Sequence, residues 1–221
     1  MVIDLVRRVH SNSSFSFLSF SARIWVLLLL GGAGIMVLEL AGSRQLAPIF
    51  GNTIYMWASQ IAVVLAFLSV GYYVGGQRAD LPKPWPRFYS TLLFCGLWIM
   101  FIPTIGLLVL PFAISFGPLL GPLTAALFLF AFPVFALGMI SPMVLVDVCP
   151  DRAHVGRIAG ALYAYSTLAS IGGTLLAGFV LVPSFGVQAI FFALGLLCAL
   201  VSLIHLPRRR PGWVAVALIF A

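Results

Sequence analysis

Glu39 and Arg44, an acid and a base five residues apart in an otherwise apolar stretch, are the first residues in this sequence whose types could do chemistry. A charge inside an apolar layer is costly, so each needs a reason to be there. Counted from Ile24, Glu39 lies about 22 Å along a helix, and five further residues of unbroken helix carry Arg44 about 140° around the axis from it. Gly42 and Ser43 can relax that geometry. Two roles are open: a structural ion pair or interfacial anchor fixing the end of the first helix against the lead-in to the second, or the polar floor of a pocket in which Glu39 takes a cationic solute.

Tyr163, Thr167, Ser170, Thr174 and Gly178 recur every three or four residues and therefore share one helix face. Small and hydroxyl side chains in that pattern suit close helix packing, as do Gly71 with Gly75 and Gly156 with Gly160. The alternative is a solute-lining stripe, which makes Glu39, Arg44, Tyr163, Thr167 and Ser170 the candidate pocket. A second group, Arg78, Asp80, Asp147 and Arg157, with Asp151 and Arg152 beside it, falls at predicted helix ends. It is either a charge network locking one side or a set of solvated pairs worth little each.

Other chemistry is not encoded. The sequence has no phosphate loop, dinucleotide fingerprint, nucleophile elbow or zinc motif. Cys95, Cys149 and Cys198 are scattered, as are His10, His154 and His205, so neither a disulfide framework nor a metal site is expected. The expectation is no cofactor and no catalytic domain in this chain.

The elements that position these residues are apolar helices. Of 221 residues 62% are hydrophobic and only 8% charged, too apolar for a water-soluble domain of this size. No Asp, Glu, Lys or Arg occurs in 45–77, 88–146 or 158–207. A hydrocarbon layer is crossed by about 20 apolar residues in a helix, so the first of these runs holds one span and the others two each. Pro111, Gly117, Pro118, Gly121 and Pro122 mark the turn of the second run, and Pro183, Ser184 and Gly186 that of the third. With 24–43 added, the predicted spans are 24–43, 54–76, 88–110, 119–146, 158–183 and 187–206. The fold class is all-α, a polytopic membrane protein of six transmembrane helices. Continuous apolarity without alternation excludes a transmembrane barrel.

Residues 45–53, with Pro48, Gly51 and Asn52, read as a non-helical lead-in to the second span, which Asn52 or Thr53 can cap. Pro103, Pro133 and Pro142 predict kinks. The first span, though preceded by Arg7, Arg8 and Arg23, is too long for a signal core and contains Glu39. It is read as a retained helix. The domains are then an N-terminal segment 1–23, the six-helix domain 24–206, and a basic end with a short apolar tail, 207–221. Within that tail 213–221 is an interfacial segment or the beginning of a seventh helix of a longer chain.

The net charge of +7 is distributed by loop rather than by patch. With six spans, eleven of the twelve Lys and Arg residues fall on one side, among them Arg23, Arg78, Lys83, Arg87, Arg152, Arg157 and Arg208, and Arg44 alone on the other. The positive-inside rule places both ends of the domain in the cytoplasm. Basic loops of this kind meet anionic headgroups, and nucleic acid is not an expected partner.

The stretch LELAGSRQLAPIFGNTIYMWASQIAVVLAFLSVGYYVGGQRAD, Leu38 to Asp80, closely resembles the membrane domain of bacterial fused major-facilitator-like and spermidine-synthase-like proteins. GMISPMVLVDV from Gly138 and GRIAGALYAYSTLASIGGTLLAGFVLVPSFG from Gly156 to Gly186 extend the likeness. Glu39, Arg44, Pro48, Gly51, Tyr55, Trp57, Gly71, Tyr72, Gly75, Gly76, Asp80, Gly156, Arg157, Gly160 and Tyr163 are the positions that match. Gly75, Gly76, Arg78, Ala79 and Asp80 also resemble the loop motif of half a major facilitator transporter, and Gly172, Gly173 and Gly178 its glycine-rich helix, although Leu81 and Pro82 replace the basic residues that follow the aspartate there.

The resemblance implies a module of the bacterial inner membrane that anchors or partners a cytoplasmic aminopropyltransferase-like enzyme, as a domain or a separate protein. It carries over only the non-catalytic membrane part. Two alternatives stand beside it: a small-solute transporter, for instance of polyamines, working as a homodimer, and the membrane fragment of a longer fused enzyme.

Overall fold

Each charge-free run of the sequence becomes one long helix or two. The computed structural model describes residues 21–82, 84–149 and 155–206. Arg7, Arg8, His10, Lys83, Asp151, Arg152, His154, Arg208, Arg209, Arg210 and the tail 207–221 lie outside the described residues. All regular structure among the described residues is helical: α1 Ala22–Phe50, α2 Ile54–Ala79, α3 Pro84–Ile114, α4 Gly117–Val148, α5 Val155–Ser184 and α6 Val187–His205. All six are long and apolar enough to cross a membrane.

Five of the six helices outrun their predicted spans, α6 ends one residue short of its own, and α1 departs from expectation most. Residues 45–50 are not a non-helical lead-in but the last turns of α1. Pro48 has no N–H for the Arg44 carbonyl and its ring crowds that carbonyl, but Arg44 is exposed near the end of the helix, so the carbonyl can tilt outward and bond water. The helix stops at Gly51, whose N–H bonds the Ala47 carbonyl at 2.9 Å and whose φ of 71° favours a residue without Cβ. Thr53 then caps α2, its Oγ1 accepting from the Met56 N–H at 3.3 Å. At the next corner Pro111 stays inside α3, and the chain turns through Ser115 and Phe116 into Gly117.

Proline also accounts for the interruption of α4 at Met139. Pro142 has no N–H for the Gly138 carbonyl four residues back, and the helix loosens there. Two wider turns, Leu30–Gly34 in α1 and Ala177–Leu181 in α5, are single π-bulges; the second precedes Pro183, which leaves the Phe179 carbonyl without its helical partner.

Packing sorts the helices by position. The most apolar windows of α1 and α4 are 61% and 67% buried and form the centre, whereas that of α5 is only 11% buried and lies at the edge. Contacts pair α3 with α6, α2 with α4, α3 with α4, and α5 with the α1 bulge. Buried glycines set the closest crossings. Gly71 and Gly75 of α2 lie against the α4 backbone at Phe135 and Met139, Gly96 of α3 faces Gly195 of α6, and Gly173 of α5 rests on Ala33. Gly156 and Gly160 show the same spacing as Gly71 and Gly75 yet have nothing within 4 Å of where a Cβ would stand.

Candidate functional site

The two ends of the bundle differ. One holds the start of α1, the α2–α3 connection, the end of α4, the start of α5 and the end of α6, and collects Arg23, Arg78, Asp80, Arg87, Asp147 and Arg157. At this basic end Arg23 of α1 forms an ion pair with Asp147 of α4. The Trp85 indole N–H donates to the other Asp147 oxygen at 3.1 Å, and the Arg23 guanidinium lies 4.3 Å over the Trp85 ring. Cation, carboxylate and indole thus close a three-membered cluster across α1, α3 and α4.

An aromatic stack continues it to α6. Trp85 stacks on Tyr89 at 5.7 Å, and Tyr89 stacks on His205 at 5.2 Å. His205 Nδ1 lies 2.9 Å from the Val201 carbonyl and, facing an acceptor, carries the proton. Of the charge network expected from sequence, Asp147 takes part, but its partners are Arg23 and Trp85, which the sequence reading did not join to it. Arg78 and Asp80 sit at the end of α2 and make no ion pair with a described residue. Arg157 is exposed at the start of α5.

The candidate pocket residues are not brought together as one site. Glu39 and Arg44 form no ion pair, and along continuous helix they keep the separation of about 140° that five residues impose. Glu39 is half-buried. On the α1 surface Gly31 and Gly42 meet Ile140 and Phe130 of α4, while Gly32 and Ala33 meet Ser166, Ala169 and Gly173 of α5. The Glu39 backbone carbonyl accepts from Nε2 of Gln60, a fully buried α2 side chain whose Oε1 has no partner among the described residues. Gln60 was missed by the sequence reading, though a lone amide inside an uncharged span was a usable signal.

Tyr163 and Thr167 are exposed and Ser170 half-buried on α5. The hydroxyls of Thr167, Ser170 and Thr174 each bond the carbonyl four residues back, at 2.8, 3.0 and 2.8 Å, and so spend themselves on their own helix. Within the chain α5 packs through Ile158, Leu162 and Gly173 and, at Ser166, Ala169 and Ser170, against Gly32 of α1. No protein-family model matches this chain, and no curated protein or solved structure does either. Its chemistry is therefore read from its own residues.

One large cavity, about 590 Å³, opens between α1, α5 and α6. It is lined by Leu30 and Val37 of α1, Leu176 and Leu181 of α5, Phe185 of the α5–α6 connection, and Ala193 and Leu197 of α6 among others, and no lining side chain is polar.

Proposed function

We propose that the chain is a membrane module of the bacterial inner membrane, resembling the membrane domain of the fused major-facilitator-like and spermidine-synthase-like proteins, that anchors or partners a cytoplasmic aminopropyltransferase-like enzyme. The observation that carries this reading is the braced basic end. Arg23, Trp85, Asp147, Tyr89 and His205 tie four of the six helices together where the basic residues collect, which suits a fixed platform better than a moving gate. The apolar large cavity agrees, because it offers a cationic solute no carboxylate.

Two measurements test it. A cysteine at position 52 should react with an impermeant reagent added to intact cells, and one at position 80 only after permeabilisation; the reverse pattern would invert the orientation. Purification in mild detergent from native membranes should bring down a soluble synthase-like enzyme or domain. Elution of the chain alone at native abundance counts against the anchor reading.

One observation favours transport by a dimer. Glu39 is half-buried in α1 and has no cationic partner among the described residues, a place where a cationic solute such as a polyamine could act as that partner. On that reading vesicles bearing the protein take up labelled polyamine and Glu39→Gln abolishes the uptake. Equal uptake by vesicles without the protein ends it.

A further inference from the structure

We propose that the cleft between α1, α5 and α6 is a binding site for an anionic phospholipid, with an acyl chain in the cleft and the phosphate on Arg44. The inference rests on the membrane reading but is independent of anchoring or transport. The cleft arises from the fold. Phe185 and Gly186 join α5 to α6, yet beyond that corner the two helices hardly touch, and the small residues Ala33 and Gly34 of α1 form the floor between them. A cavity of about 590 Å³ is of ligand size, and its side chains are all apolar. A flexible hydrocarbon chain satisfies such walls.

Arg44 says which lipid. It lies seven residues beyond Val37, the last α1 residue lining the cleft, in regular helix. Seven residues return to within about 20° of the same face about 10 Å further on, so Arg44 stands over the cleft toward the end where α5 and α6 meet. It is exposed and has no ion-pair partner among the described residues. Across residues 44–54, 110–122 and 180–190, the segments at that end, it is the sole Lys or Arg and there is no Asp or Glu. A second copy's helix laid in the cleft would cover this cation with apolar surface, whereas a phosphate matches it.

The test uses the full chain, purified in neutral detergent, delipidated, and offered phosphatidylglycerol or phosphatidylcholine with identical acyl chains, with bound lipid counted by native mass spectrometry. Phosphatidylglycerol should be retained about fivefold better, the factor one cation beside an anionic headgroup supplies. Arg44→Gln should erase that preference while phosphatidylcholine still binds. Ala193→Trp, on an exposed wall where it disturbs no core contact, should lower retention of both with helicity unchanged. Glycerol phosphate, a headgroup without chains, should not compete. Equal retention of the two lipids by the unaltered chain, a preference surviving Arg44→Gln, undiminished binding by Ala193→Trp, displacement by glycerol phosphate, or a dimer that excludes lipid would each overturn the proposal. Failure of the membrane reading shows separately, as a chain that stays monodisperse without detergent.

Discussion

Gly195→Ala is expected to destabilise the bundle by about 3 kcal/mol, the upper end of what overpacking a well-filled contact costs. The α3–α6 crossing is built on two facing glycines. A Cβ on Gly96 would stand 2.6 Å from the Gly195 carbonyl oxygen and 2.8 Å from the Ala199 nitrogen, and one on Gly195 would stand 2.8 Å from the Met100 nitrogen. These neighbours are backbone atoms, so no side-chain rotation relieves them, and the helices must part along their length. Ile99, Ile102, Phe191 and Cys198, all fully buried, lose contacts with them. Gly160→Ala is expected to act in the opposite sense, stabilising by up to about 1 kcal/mol, because nothing lies within 4 Å and alanine is the better helix former. Unfolding in detergent followed by far-ultraviolet circular dichroism gives both values. Equal effects of the two substitutions would show that the α3–α6 crossing is not held at this distance.

The pair of glycines also shows what a sequence can and cannot convey about such a fold. The six apolar runs, their proline and glycine punctuation and the Thr53 cap follow from local physics, since a helix needs only its own residues to satisfy its backbone. The 140° between Glu39 and Arg44 follows from helical geometry alone once the helix is known to continue, and the helix continues because a proline near its exposed end disturbs only one carbonyl, which can bond water. Which small residues are buried is a different matter. Gly71–Gly75 and Gly156–Gly160 carry the same spacing, but only the first pair meets another helix. The spacing makes close approach permissible; the choice of neighbour depends on how α1 and α4 occupy the centre. Likewise Asp147 was visible as a charge at a helix end, yet its partner Arg23 lies 124 residues away. No local pattern links them.

That distant pair carries the second large expected effect. Asp147→Asn should cost about 2 kcal/mol, within the range for losing hydrogen bonds to a charged group. An exposed ion pair is worth at most about 1 kcal/mol, so the figure depends on how far this one is withdrawn from water. The side chains of Arg23 and Asp147 keep only 30% and 28% of their exposure, and each has a second attachment to Trp85, through the ring face for Arg23 and the indole N–H for Asp147. Removing the carboxylate leaves a half-covered guanidinium over Trp85 and an indole N–H short of its charged acceptor. Arg23→Gln should cost about as much for the converse reason. If the three groups act as one cluster, the double variant costs clearly less than the sum of the singles, because the second substitution removes a group already stranded by the first. With the other four tryptophans replaced by phenylalanine, Trp85 fluorescence reports the same event locally: its emission should move to longer wavelength when either charge is lost, well before the helices unfold. Additive costs with unchanged emission would mean that Arg23 and Asp147 are solvated neighbours, and the basic end would lose the bracing on which its reading as a platform depends.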